Sequence, residues 1–122
     1  MPWDFQNDRP IYLQLMEKIM LQIVSGRYRA GDKLASVRDM AAEAGVNPNT
    51  MQKALAELER EGLVFAQRTS GRYITDDMEK INSLRVSLAK EQVSKFLKQM
   101  ENLGYAPEDT VAFLKNNLEE EH

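Results

Sequence analysis

Residues 44–62 read AGVNPNTMQKALAELEREG, and this stretch predicts a helix with both of its ends marked. Asn47 is a candidate N-cap, and Pro48 follows at the first helical position, where a missing N–H costs nothing. Gly62 stands where a left-handed residue commonly ends a helix. Between these ends, four apolar residues recur at helical spacing and define one buried face: Met51, Ala54, Leu55 and Leu58.

The other side of this helix, near its N-terminal end, carries hydrogen-bonding side chains without net acidic charge. These are Asn49, Thr50, Gln52 and Lys53. Such side chains suit the reading of base edges in a DNA major groove. An ordinary solvated helix face has the same composition, so the neighbouring segments must decide between the two interpretations.

Residue counts exclude several classes of active site. The chain has 122 residues, no cysteine, and His122 as its only histidine. We therefore expect no disulfide, no metal and no cofactor, and neither cysteine nor histidine catalysis. Carboxylates on helix surfaces are usually solvated, so an enzyme is the weakest interpretation. No signal-peptide pattern and no run of about 18 apolar residues occurs, so we expect a soluble, cytoplasmic protein that does not enter a membrane.

The charge is distributed unevenly along the chain. Residues 1–76 carry 10 Lys and Arg against 10 Asp and Glu, whereas residues 77–122 carry 6 against 9, which accounts for the net charge of −3. The acidity belongs to the C-terminal part. This distribution permits DNA binding by the first part without demonstrating it.

Three further elements are predicted before the helix of residues 44–62. An N-terminal arm holds Trp3 and Phe5, which should anchor it to a core. An apolar stripe predicts a helix from Pro10 to about Ser25. Ser36 is the N-cap of a short third element, a helix of two to three turns.

Arg38 lies in the first turn of that short helix and points away from its buried face. A positive charge there is unfavourable against the helix dipole, so a compensating anion is expected. A solvated arginine is the simple interpretation, and a contact to a phosphate or a guanine edge is the functional one.

Two β-type runs follow at residues 63–67 and 72–75 and predict a hairpin. Arg68 and Arg72 flank its glycine-containing turn. Hairpin tips are commonly polar for solubility alone, but this tip also suits the sugar-phosphate backbone or a minor groove.

Five segments in this order resemble the DNA-binding domain of the GntR family of bacterial transcription regulators. They are PIYLQL (10–15), GDKLASVRDMA (31–41), GVNPNTMQKAL (45–55), LEREGLV (58–64) and SGRYI (70–74). The NPNT sequence and the short C-terminal part look most like the YtrA-type subfamily. The resemblance implies a winged helix-turn-helix that binds double-stranded DNA. The expected DNA-binding residues are Ser36, Arg38, Asn47, Asn49, Thr50, Gln52, Lys53, Arg68, Ser70, Gly71 and Arg72.

The sequence departs from the family pattern at three positions. Ala35 stands where the family usually has proline, and Pro48 and Gln52 stand where many members have arginine. Two guanine or phosphate contacts are therefore absent, and the base preference of arginine-bearing relatives is not implied. Gln52 or Asn49 can instead read an adenine in bidentate fashion.

The C-terminal part predicts a long helix over about 76–103 and a shorter one beginning at Pro107. Two amphipathic helices without a third layer leave an apolar face open, which self-association covers most simply. The alternative is that they fold back on their own winged helix. The expected dimer interface is Ile81, Leu84, Leu88, Val93, Phe96, Leu97, Met100, Val111 and Leu114. This part is short for a ligand-enclosing domain. The sequence leaves open whether a small-molecule effector binds at the dimer interface.

The sequence thus predicts a mainly α fold with a small β-hairpin, in which a winged helix-turn-helix (1–75) precedes a two-helix dimerisation segment (76–122). The predicted function is a sequence-specific regulator, a homodimeric repressor on a pseudo-palindromic operator. The alternative is a winged-helix protein-interaction module without specific DNA binding.

Overall fold

The helical and hairpin patterns appear as regular elements in the computed structural model, which describes residues 3–121. In chain order they are α1 (Ile11–Val24), α2 (Val37–Ala44), α3 (Pro48–Arg60), β1 (Val64–Gln67), β2 (Gly71–Ile74), α4 (Met78–Asn102) and α5 (Pro107–Glu121). The expectation of a mainly α chain with a small hairpin is confirmed. His122 lies outside the described residues.

The ends of α2 and α3 are fixed by the residues that the sequence marks. The Ser36 hydroxyl oxygen accepts a hydrogen bond from the Asp39 N–H at 3.1 Å. The Asn47 side-chain oxygen accepts from the Asn49 N–H at 2.8 Å. Gly62 has φ +79° just beyond α3, a conformation that glycine adopts without steric cost. Each cap satisfies a backbone group that the helix itself leaves open.

The core forms between α1, α2 and α3 and is closed by the hairpin. Its most buried large side chains, with at most 1% of their surface exposed, are Leu15, Ile19, Met51, Leu55, Leu58, Val64 and Ile74. Each such burial contributes about 1.5–3 kcal/mol relative to exposure. This packing fixes which side of α3 remains at the surface.

The N-terminal arm, residues 3–9, is held by hydrogen bonds as well as by its aromatic side chains, which pack against the core. The Trp3 N–H donates to the Ala44 carbonyl at 3.1 Å. The buried Gln14 amide donates to the Gln6 carbonyl at 2.8 Å and to the Arg9 carbonyl at 2.9 Å. Its oxygen accepts from the Gln6 N–H at 2.7 Å. A single side chain thus replaces the backbone partners that the arm lacks.

The hairpin pairs β1 and β2 antiparallel, with Val64 opposite Ile74 and Gln67 opposite Gly71. The rings of Phe65 and Tyr73 stack at 5.7 Å between centroids. A single bridge connects Lys33 to Tyr73 and extends the hairpin on one side. We refer to residues 64–74 as the wing.

By its internal packing the chain divides into two units after Leu84, within α4. Ile81 is 3% exposed and belongs to the core of the first unit, and Leu84 is half-buried against the same core. In the second unit, Thr110 is fully buried and its hydroxyl donates to the Ala106 carbonyl at 3.2 Å. Tyr105 and Phe113 meet edge to face there. Among the described helices, none is long and apolar enough to cross a membrane.

Candidate nucleic-acid interface

The surface of α3 is divided by its packing into a buried side and a polar side. Asn49, Gln52 and Lys53 are exposed, and Thr50 is half-buried beside them. Because these residues lie in the first two turns of α3, their amide, hydroxyl and ammonium groups are grouped at one end of the helix. This is the end that helix-turn-helix proteins present to base edges.

The two cap residues use only part of their hydrogen-bonding capacity. Ser36 and Asn47 each accept one hydrogen bond through the side-chain oxygen, and both residues are exposed. The Ser36 hydroxyl hydrogen and the Asn47 amide hydrogens are still available as donors. The caps can therefore hold the helices and donate to an external acceptor at the same time.

Arg38 is exposed in the first turn of α2. Over residues 3–121 it makes no ion pair, and its neighbour Asp39 does not neutralise it. An exposed guanidinium at a helix N-terminus is electrostatically unfavourable in isolation. An external phosphate would relieve this repulsion, because guanidinium binds phosphate oxygens in pairs.

Lys53 is in contact with α1. Its ammonium nitrogen lies 4.0 Å from the centroid of the Tyr12 ring, within the range of a cation–π interaction. In the sequence, Tyr12 belongs to the apolar stripe that predicts the helix from Pro10 to about Ser25. No local sequence signal links the two residues, because 41 positions separate them.

The wing presents fewer available groups than the sequence predicts. Arg72 donates from Nε to Glu59 Oε1 at 2.5 Å, so its charge is already paired within the fold. The Ser70 hydroxyl donates to the Gln67 side chain and accepts from the Tyr73 hydroxyl, within the wing itself. Arg68, by contrast, is exposed and makes no ion pair within residues 3–121.

Gly71 begins β2 with φ +107°, a region in which side chains with a Cβ are strained. A Cβ added there would contact the Lys33 side chain at 3.6 Å, an ordinary packing distance. The requirement for glycine therefore comes from the backbone conformation of the turn. The turn in this form carries Arg68 at its tip.

No group of three or more His, Asp or Glu side chains within the described residues is placed to hold a metal ion. The arrangement instead collects cations and neutral hydrogen-bond donors on α2, α3 and the wing: Ser36, Arg38, Asn47, Asn49, Gln52, Lys53 and Arg68. Its cations are suited to backbone phosphates and its neutral donors to the edges of bases, and duplex DNA presents both.

Residues 11–74 match the family model described as bacterial regulatory proteins, gntR family. The match spans α1, α2, α3 and the wing. The chain belongs to the gntR family.

Two relatives of this gntR chain are similar to it over most of their own length. HTH-type transcriptional regulator YhcF of Bacillus subtilis (strain 168) is 39% identical over 115 residues, which cover 94% of this chain and 95% of YhcF. HTH-type transcriptional repressor YtrA of the same organism is 35% identical over 95 residues, or 77% of this chain and 73% of YtrA.

A solved structure of a GntR family transcriptional regulator from Listeria monocytogenes is 40% identical, with a TM-score of 0.84 over 92% of this chain and 98% of that one. The expected resemblance to the family and to YtrA is confirmed, and with it the DNA-binding winged helix of a transcription regulator.

The second unit of this gntR chain exposes large apolar side chains. Of the predicted interface residues, Val93 is 55% exposed, and Phe96, Val111 and Leu114 are also exposed. Leu88, Leu97 and Met100 are half-buried. Four further apolar residues of this unit, outside the predicted interface, are exposed as well: Val86, Leu103, Phe113 and Leu118. Ile81 and Leu84 lie in the first unit and pack against its core, so they offer little surface to a partner.

Proposed function

We propose that this gntR chain is a cytoplasmic, homodimeric repressor that binds a pseudo-palindromic DNA operator. The observation that carries the proposal is the grouping of exposed, mostly neutral donors at the N-terminal end of α3, together with the unpaired Arg38 in the first turn of α2. Gln52 and Asn49 read bases, most favourably adenine, whose N6 and N7 atoms match a side-chain amide. Arg38, Lys53 and Arg68 contact phosphates.

Dimerisation is supported by the apolar surface of the second unit. Eight large apolar side chains are exposed there: Val86, Val93, Phe96, Leu103, Val111, Phe113, Leu114 and Leu118. Exposed apolar side chains in this number commonly mark an interface between protein chains. A two-fold pair of chains presents two copies of α3 to two half-sites, which explains a pseudo-palindromic operator.

Repression is supported by one similar protein, since YtrA is named a transcriptional repressor. A winged helix that occupies promoter DNA can block polymerase without further machinery.

DNA binding is tested by fluorescence anisotropy with labelled duplexes from the chain's own upstream region and from random sequence. We expect tighter binding to the former, with log affinity falling linearly with log salt at about 0.9 per phosphate contact. Arg38→Ala should weaken binding to both duplexes equally. Gln52→Ala should lower the binding free energy by about 1–3 kcal/mol on the specific duplex alone. Lys98→Ala, an exposed cation of the second unit, is the matched control. An equal loss on both duplexes for Gln52→Ala, or a loss confined to the specific duplex for Arg38→Ala, would contradict the assigned roles.

The oligomeric state is tested by light scattering. Val93→Asp should convert two-chain particles to single chains, because it places a charge on an apolar interface. Ser94→Asp introduces the same charge at the next exposed position and should leave the mass unchanged. If Val93→Asp still has the mass of two chains, the surface around Val93 is not part of the interface.

A further inference from the structure

Lys53 is the one cation on the polar side of α3 near its N-terminal end. Lysine side chains are flexible point charges that lose considerable rotamer entropy when a ligand fixes them. Lys53 differs from a free lysine because its ammonium lies over the Tyr12 ring at 4.0 Å. The contact restricts the ammonium to the surface between α1 and α3.

The contact leaves part of the hydrogen-bonding capacity of the ammonium available. A cation–π interaction occupies the side of the ammonium that faces the ring, so the N–H donors of Lys53 that point away from the ring can still bind oxygens. Within residues 3–121, no carboxylate pairs with Lys53. The ammonium is thus held in place without being neutralised. Arg72 shows the opposite arrangement, because its partner is the anion Glu59.

We propose that Tyr12 is a positioning residue for DNA binding, whose ring holds the Lys53 ammonium ready for a backbone phosphate. This inference rests on the proposed function and extends it to α1, outside the helix-turn-helix pair. The ring acts by preorganisation: it removes part of the ordering cost that Lys53 meets when a phosphate binds. The Tyr12 hydroxyl takes no part in this role.

The inference is tested by a double-mutant cycle on a random-sequence duplex, since a phosphate contact does not depend on sequence. The variants are Tyr12→Leu, Lys53→Met and the pair together. Tyr12→Leu should weaken binding about two- to tenfold, the range expected from one long side chain losing its preorganisation. Lys53→Met should lower the salt slope by about 0.9. In the Lys53→Met background, Tyr12→Leu should have no further effect on affinity.

Two controls separate the ring from other causes. Tyr12→Phe keeps the ring and should bind as the wild type does; a loss equal to that of Tyr12→Leu would assign the effect to the hydroxyl and overturn the proposal. Phe5→Leu removes the aromatic partner of Lys18, a contact at 5.8 Å that involves no residue of α3, and should leave DNA affinity unchanged.

The outcomes distinguish this proposal from the proposed function. If the wild type binds and the losses of the two single variants multiply, only the positioning role is overturned. If the wild type does not bind any duplex at low salt, both proposals fall. Should Tyr12→Leu not fold, NMR of the wild type decides: the Lys53 ε-methylene protons should be shifted upfield by the ring, with and without DNA. An unshifted resonance in the DNA complex overturns the proposal.

Discussion

Glu59 and Arg72 join α3 to the wing, and replacing Glu59 with glutamine should change stability and DNA affinity in opposite directions. Arg72 Nε lies 2.5 Å from Glu59 Oε1, and the two side chains are 21% and 32% exposed. Glutamine keeps the shape of the side chain and its oxygen but removes the charge. The variant therefore releases one cation at the wing and weakens one contact between wing and helix.

The size of both effects can be derived from the geometry. A partly exposed pair falls between surface ion pairs, at about 0–1 kcal/mol, and charge-assisted hydrogen bonds, at about 1.5–3 kcal/mol. We expect Glu59→Gln to lower the free energy of unfolding by about 1 kcal/mol, or the melting temperature by about 4–8 °C for a unit of this size. Releasing Arg72 to a phosphate should steepen the salt slope by about 0.9, so that a fourfold dilution of salt strengthens binding about 3.5-fold more than in the wild type.

Urea unfolding and anisotropy on a random duplex measure the two effects. Glu57→Gln is the matched control, because Glu57 lies on the same helix and pairs at 3.3 Å with the exposed Arg60. It removes the same charge but releases an arginine that is already largely solvated. The reasoning is refuted if Glu59→Gln and Glu57→Gln give equal salt slopes, or if Glu59→Gln weakens DNA binding.

Substitutions at three further positions test separate parts of the fold. Ser36→Ala should lower the unfolding free energy by about 1 kcal/mol, because the Asp39 N–H loses its cap, whereas Ser36→Asp should retain it; equal losses would contradict a capping role. Gly71→Ala should cost about 1–3 kcal/mol through backbone strain at φ +107°, measured by urea unfolding, and an unchanged midpoint would show that the turn relaxes. Burial, aided by Glu43, raises the pKa of the Tyr28 hydroxyl, so its contribution to stability is complete below about pH 10 and is lost as pH rises through the folded-state pKa. The free energy of unfolding of Tyr28→Phe should therefore decline less between neutral and alkaline pH than that of the wild type. A parallel decline in both proteins would exclude this residue as the cause.

The helices and their ends were predictable because the signals that determine them are local. Ser36, Asn47, Pro48 and Gly62 each act on backbone groups within three residues, and the structure gives them the expected roles. The apolar spacing of α3 likewise fixed which of its sides is buried. The buried side of α3 in turn predicts its ligand-facing side, since a helix with one packed side has only the opposite side left for a ligand.

The side-chain partners within the site were not predictable, since they depend on packing between distant segments. Arg72 was expected to be free at the wing, but the antiparallel hairpin returns it to α3, where Glu59 is within reach. Ile81 was assigned to the dimer interface from its place in the apolar series of α4. The first turn of that helix packs into the core, which a periodic pattern cannot distinguish from an exposed stripe.

The Gln14 contacts determine where a DNA-binding fragment of this chain can begin. The three bonds of its amide all go to backbone groups of Gln6 and Arg9, which precede the first helix. A fragment cut at Pro10 would retain every helix and the wing, yet the Gln14 amide would lose all three of these partners, at about 1–3 kcal/mol for each group that stays buried and unsatisfied. It would also free the carbonyl of Ala44, at the end of α2, from Trp3. The family match begins at residue 11, but we expect a fragment that includes the arm to be more stable than one that begins there.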